Sequence, residues 1–169
     1  RMMLPIEERE DDDEEYFDIS NKIIQTGYSQ NKFFNLSETG DILYSDKSNP
    51  GYEKYVVEIS EIENATAFAL FNHSNDMKTN AVITSDKNLV LVKDLTANDR
   101  EITSVAVDCK SAPIISDING DGSNDIVVAG AGKIYAYDEN LLLLPDFPVN
   151  IPNLKKDKEF GESIYSANL

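Results

Sequence analysis

Ser116 to Tyr137 reads SDINGDGSNDIVVAGAGKIYAY. Side-chain oxygens fall at alternate positions, Asp117, Asn119 and Asp121, and again at Asp125 four residues on. Gly120 and Gly122 sit among them, where the backbone must turn sharply and a Cβ is expected to be in the way. Three carboxylates so close together repel one another unless a cation joins them. Ca2+ suits this donor set, because it is a hard ion that takes six to eight oxygen ligands in a flexible cage. Asp117, Asn119, Asp121 and Asp125 are the candidate side-chain ligands. Ser123, at the seventh position, is the candidate donor of a backbone carbonyl.

The opening matches the first half of an EF-hand loop, but the twelfth position, which should be a bidentate Glu, is Val128. The chain that follows also differs. Ile126-Val127-Val128, then Gly130-Ala131-Gly132, then Ile134, Tyr135 and Tyr137 read as two strands joined by a tight turn, where an EF-hand needs a helix. A calcium loop feeding a β-hairpin resembles the FG-GAP or VCBS repeat, the blade of integrin-α-like β-propellers. Gly130-Ala131 corresponds to the GAP half, with Gly132 replacing the usual Pro. Phe160-Gly161, Ser163-Ile164 and Ala167-Asn168-Leu169 resemble the FG half leading into a further loop. The resemblance implies an all-β fold of four-stranded antiparallel propeller blades, with Ca2+ as cofactor.

The stretch has a worn copy. A shift of 45 residues puts Asn72 on Asp117, Ser74 on Asn119, Asp76 on Asp121 and Asn80 on Asp125, and Ala81-Val82-Ile83 on Ile126-Val127-Val128. Two of the three acids are amides in this copy, so it is expected to bind Ca2+ poorly or not at all, with hydrogen bonds shaping the turn instead. An earlier trace, Gly40-Asp41-Ile42-Leu43-Tyr44, resembles Gly132-Lys133-Ile134-Tyr135-Ala136 at a shift of 92. A period of about 45 residues with four short strands is propeller arithmetic. The expected blades span 22–60, 65–107 and 111–150, with another beginning at 160–169. Residues 1–21 are read as an acidic linker or tail and 22–169 as the propeller segment. Propellers close with typically four to eight blades, so the segment is expected to be a fragment of a larger ring, completed by the same or another chain. A four-stranded blade buries both faces, which makes Ile126, Val128, Ile134 and Ala136 core candidates.

The bulk numbers set limits. The 169 residues are 41% hydrophobic and carry a net charge of −16. That sign opposes phosphate binding, so a nucleic-acid partner is discounted. No apolar run approaches the roughly 20 residues that a bilayer-spanning helix needs. The acidic run EEREDDDEEYFD, residues 7–18, reads as a solvated spacer. The single cysteine, Cys109, excludes an internal disulfide and reads as a small buried hydrophobe.

No catalytic constellation stands out. The only histidine, His73, lies in the worn loop, and no phosphate-cradling glycine loop precedes a helix. Acids tied to a cation would stay ionised and unavailable for proton transfer. The expected function is a non-catalytic extracellular module, used for protein or carbohydrate interaction, adhesion, or accessory support of a secreted protein. The alternative is a fragment of a polysaccharide-active enzyme of the lyase type built on a calcium-containing propeller. Loops of this kind call for calcium at extracellular levels, roughly 10⁻⁴ to 10⁻³ M, which favours an extracellular, cell-surface or periplasmic setting.

Overall fold

The computed structural model describes residues 22–46, 54–72, 78–109 and 111–151. The acidic run, the loop around Asn49-Pro50-Gly51, His73 to Met77 of the worn loop, and the stretch from Phe160 to Leu169 lie outside the described residues.

The described residues form twelve β-strands in three four-stranded antiparallel sheets, with no helix among them. Each sheet is a simple meander. The first takes β1 (Ile23–Ser29), β2 (Lys32–Ser37), β3 (Ile42–Asp46) and β4 (Lys54–Val57) in order. The second takes β5 (Ala65–Asn72), β6 (Thr79–Ser85), β7 (Asn88–Lys93) and β8 (Glu101–Ala106). The third takes β9 (Ile114–Ser116), β10 (Asp125–Gly130), β11 (Lys133–Tyr137) and β12 (Val149–Asn150). Short runs of β-branched and aromatic residues broken by turn residues cannot sustain helices, and antiparallel pairing needs only tight turns between neighbours. The β10–β11 turn is such a case. Gly130 pairs with Lys133, and Ala131 and Gly132 between them have φ of 49° and 76°. Positive φ at both central residues matches the right-handed twist of the flanking strands.

The three sheets enclose two cores. Phe34, Leu36, Ile42 and Val57 of the first sheet meet Phe68, Ala81, Ile83, Val90 and Val92 of the second. On the other side of the second sheet, Val82, Leu89 and Leu91 meet Ile126, Val128 and Tyr137 of the third. Successive residues of β6 and β7 therefore point into different cores, as the two-residue period of a strand requires. Both faces of this sheet are covered, and every residue of β6 is buried. Its polar members are paired. Thr84 Oγ1 shares a hydrogen bond with Thr66 Oγ1 at 2.9 Å, and Ser85 Oγ accepts from the Asn88 N–H at 3.0 Å. Cys109 is 1% exposed inside the second core.

The second and third sheets share a register. Ala81 pairs with Val92 and Ile126 with Tyr137, so positions 81 and 126, and 92 and 137, correspond at 45 residues. In the third sheet Ile126, Val128 and Ala136 are fully buried. Ile134, expected in the core, is only half-buried. It lies on the face turned away from the second sheet, with Val127 opposite Ala136 and Val149 opposite Ile134.

Neighbouring sheets also meet through side-chain hydrogen bonds and close backbone approach. The Gln25 side chain on β1 donates from Nε2 to the Phe68 carbonyl at 2.9 Å and accepts from the Phe68 N–H at 2.8 Å. Gly130 backs directly onto the Asp108–Cys109 backbone, and a Cβ there would overlap the Asp108 carbonyl oxygen. Only glycine permits that approach.

Candidate metal centre

Ser116, the last residue of β9, pairs with Asp125, the first of β10, so the two strands pinch the segment 117–124 into a closed loop. Gly120 and Gly122 have φ of 79° and 87°, the left-handed region that side chains avoid. The expectation that a Cβ would collide is corrected. Nothing lies within 4 Å of where one would stand at either glycine, so the requirement is one of backbone angle and not of space.

The backbone turns its N–H groups inward. Asp117 Oδ1 accepts from Gly120 at 2.7 Å and from Asp121 at 3.2 Å, while its Oδ2 accepts from Gly122 at 3.0 Å. Asn119 Oδ1 accepts from the Asp121 N–H at 2.9 Å. Asp121 Oδ1 accepts from the Ser123 N–H at 2.8 Å, and its Oδ2 accepts from Asn119 Nδ2 at 3.0 Å. These bonds favour the ionised carboxylate. The Ser123 backbone amide, followed by the Asn119 side chain, lowers the pKa of Asp121 below its ordinary value. Ser123 thus enters the loop's hydrogen bonding through its N–H.

Asp125 differs from the others. It is 1% exposed, whereas Asp117, Asn119 and Asp121 are exposed. Its Oδ2 accepts from the Ile118 N–H at 2.9 Å. Its Oδ1 is buried and has no hydrogen-bond partner. A buried carboxylate oxygen left unpaired costs free energy, so such atoms are uncommon in folded proteins.

The five sequence-selected residues are therefore gathered in one loop, knitted together by backbone amides. Among the described residues, no group of three or more His, Cys, Asp or Glu side chains converges as a preformed metal cluster. The donor set is all oxygen, which fits Ca2+, and the vacant Asp125 Oδ1 is the atom with an unmet need. Sequence reasoning passed over Asn124. Its Nδ2 donates to the Asn72 carbonyl at 3.1 Å and ties the loop to the end of β5 in the neighbouring sheet. Its position in an Asn-Asp pair at the head of a strand was the available signal.

In the worn copy, Asn80 holds the place of Asp125 and is likewise buried, at 4% exposure. Its Oδ1 accepts from the Asp94 N–H at 2.9 Å. Asn80 of β6 thus has a partner from within the protein where Asp125 of β10 has an unpaired oxygen.

No protein-family model matches the chain, and no curated protein is significantly similar to it.

Proposed function

We propose that the chain is a calcium-stabilised β-propeller segment that serves outside the cytoplasm as a non-catalytic module for protein or carbohydrate interaction, adhesion or accessory support. The observation that carries this reading is Asp125. It is a buried carboxylate at the head of β10 with one oxygen unpaired, next to a loop in which Asp117, Asn119 and Asp121 carry side-chain oxygens. Asp117, Asn119, Asp121 and Asp125 would hold the ion through side chains, and Ser123 through its carbonyl. Bound Ca2+ would offset the repulsion among the three carboxylates and fix where β10 begins, so that binding energy becomes folding energy.

The propeller arrangement is supported by the stacking of three meander sheets face to face, and by the first strands β1 and β5 lying side by side, joined at Gln25 and Phe68. The outer face of the third sheet supports its continuation. Val127, Ile134 and Ala136 stand where Val82, Leu89 and Leu91 stand in the second sheet, and those three pack against the next sheet in line. A further sheet, from this or another chain, would complete the burial of Ile134.

Thermal unfolding with and without Ca2+ tests the proposal. Free ligand at 100 times Kd stabilises by about 2.7 kcal/mol. In a domain of this size that raises Tm by roughly 5–10 °C. Identical melting curves in millimolar Ca2+ and in chelator would remove calcium from the account.

A further inference from the structure

A second candidate site lies at the end of the second sheet, apart from the calcium loop. There a cleft of about 240 Å³ opens between the start of β6, the end of β7 and the turn that leads into β8. Three cations line it, Lys78, Lys93 and Arg100. Two of them have acidic partners. Lys78 Nζ lies 3.0 Å from Asp94 Oδ2, and Lys93 Nζ lies 3.3 Å from Glu101 Oε1 while also donating to Asn140 Oδ1 at 2.7 Å. Arg100 is different. Among the described residues its guanidinium forms no ion pair, and its Nε is a buried donor without an acceptor. In a chain of net charge −16, Arg100 thus keeps a buried donor unmet although Asp94, Asp99 and Glu101 line the same cleft.

We infer that this cleft binds a single carboxylate borne on a small hydroxylated skeleton, with Arg100 as the cation that receives it. Guanidinium presents its donors in a planar fork that matches a carboxylate, and the bond is charge-assisted. The rest of the lining selects the kind of ligand. Asp94, Asp99 and Glu101 are acceptors that suit hydroxyl donors, and Asn80 adds an amide. Lys78 and Lys93 are already paired with Asp94 and Glu101, which leaves Arg100 as the cation for an incoming anion and suits a single charge better than the double charge of phosphate or sulfate. No aromatic or aliphatic side chain larger than Ala97 lines the cleft, so an apolar ligand gains nothing there. A free hydroxy acid and the acid unit of a saccharide present this chemistry equally.

The test uses the full chain at fixed ionic strength, following the Nε–Hε resonance of Arg100 by NMR. Sodium glucuronate should shift it saturably, whereas glucose and sulfate should leave it in place. Arg100→Gln should weaken glucuronate binding, read by calorimetry, at least about tenfold, as loss of a charge-assisted hydrogen bond implies. Arg100→Lys keeps the charge without the fork and should also bind more weakly, which guards against a Gln variant that fails to fold. A glucuronate-containing oligosaccharide distinguishes the sources. Tighter binding than the free acid identifies a chain-borne unit, weaker binding identifies a free hydroxy acid, and either outcome supports the inference. A resonance that ignores glucuronate, responds equally to glucose, or is accompanied by undiminished binding in both variants overturns it. Chelator should leave this binding unchanged, so failure of the calcium reading and failure of this one are separable.

Discussion

In the second sheet, Leu89 and Leu91 are wholly buried against the third; in the third, Ile134 and Ala136 hold the corresponding places, and Ala136 is buried while Ile134 is only partly so. Asn80 at the head of β6 and Asp125 at the head of β10 differ in parallel. Asn80 gives its side-chain oxygen to a neighbouring N–H, while Asp125 keeps one buried oxygen without a partner. The second sheet is satisfied on both faces and at the head of β6 by groups of this chain. The third repeats its register but leaves Ile134 partly exposed and one Asp125 oxygen unpaired. The difference separates what a repeated pattern dictates from what its surroundings must supply.

The largest expected effect breaks the comparison at the cores. Leu89→Ala should cost about 2–5 kcal/mol, the range for a fully buried large-to-small change. Ile134→Ala should cost roughly half as much, because its side chain is only partly removed from water. Urea denaturation of both variants checks this. An equal loss at the two positions would mean that Ile134 is covered in solution by a further sheet.

The loops come next. Asp125→Asn gives the third sheet the residue of the second, and should abolish most of the roughly 2.7 kcal/mol that Ca2+ at 100 times Kd would provide under the proposed function. Differential scanning calorimetry in Ca2+ and in chelator reads this directly. In chelator the variant should be no less stable than the parent, since an amide replaces an unpaired buried charge. A variant that keeps the parent's calcium response would place the ion elsewhere.

The smallest effect is acid titration of Asp121. Its folded pKa lies below the ordinary value of 3.8. Its contribution is therefore complete above about pH 3.8 and disappears as pH falls through the lower folded value. Melting temperatures of the parent and of Asp121→Asn in chelator should differ slightly at pH 5 and converge toward pH 2. Because the carboxylate is fully exposed, the difference is expected to be small.

Much of the strand pattern could be read directly from the chain. Unbroken apolar runs at Ala81–Ile83 and Leu89–Val92, separated by a turn through Asp86 and Lys87, leave little choice but a hairpin buried on both faces, and a similar pair of runs recurs at Ile126 and Ile134. The first sheet was harder to align, for a physical reason. Leu36 pairs with Ile42 across a turn one residue longer than that between Ala129 and Ile134, so no single shift aligns both strands. Tertiary approach was invisible. Gly130 reads as a turn residue, yet it is needed where the Asp108 backbone crosses it. The loop 117–125 was readable as a set of oxygens, because the residue types and spacing carry that chemistry. How the oxygens are spent was not readable, since the hydrogen bonds to Gly120, Gly122 and Ser123 depend on backbone angles that spacing does not specify.

The double hydrogen bond between Gln25 and Phe68 has a consequence for self-association. β5 is the border strand of its sheet, and a border strand with free amides and carbonyls is a template on which a stray segment of another molecule can add. A primary amide mimics such a segment, one donor and one acceptor wide, and occupies both backbone groups of Phe68. The side chain that joins two sheets thereby also blocks recruitment of a foreign strand at the middle of that border.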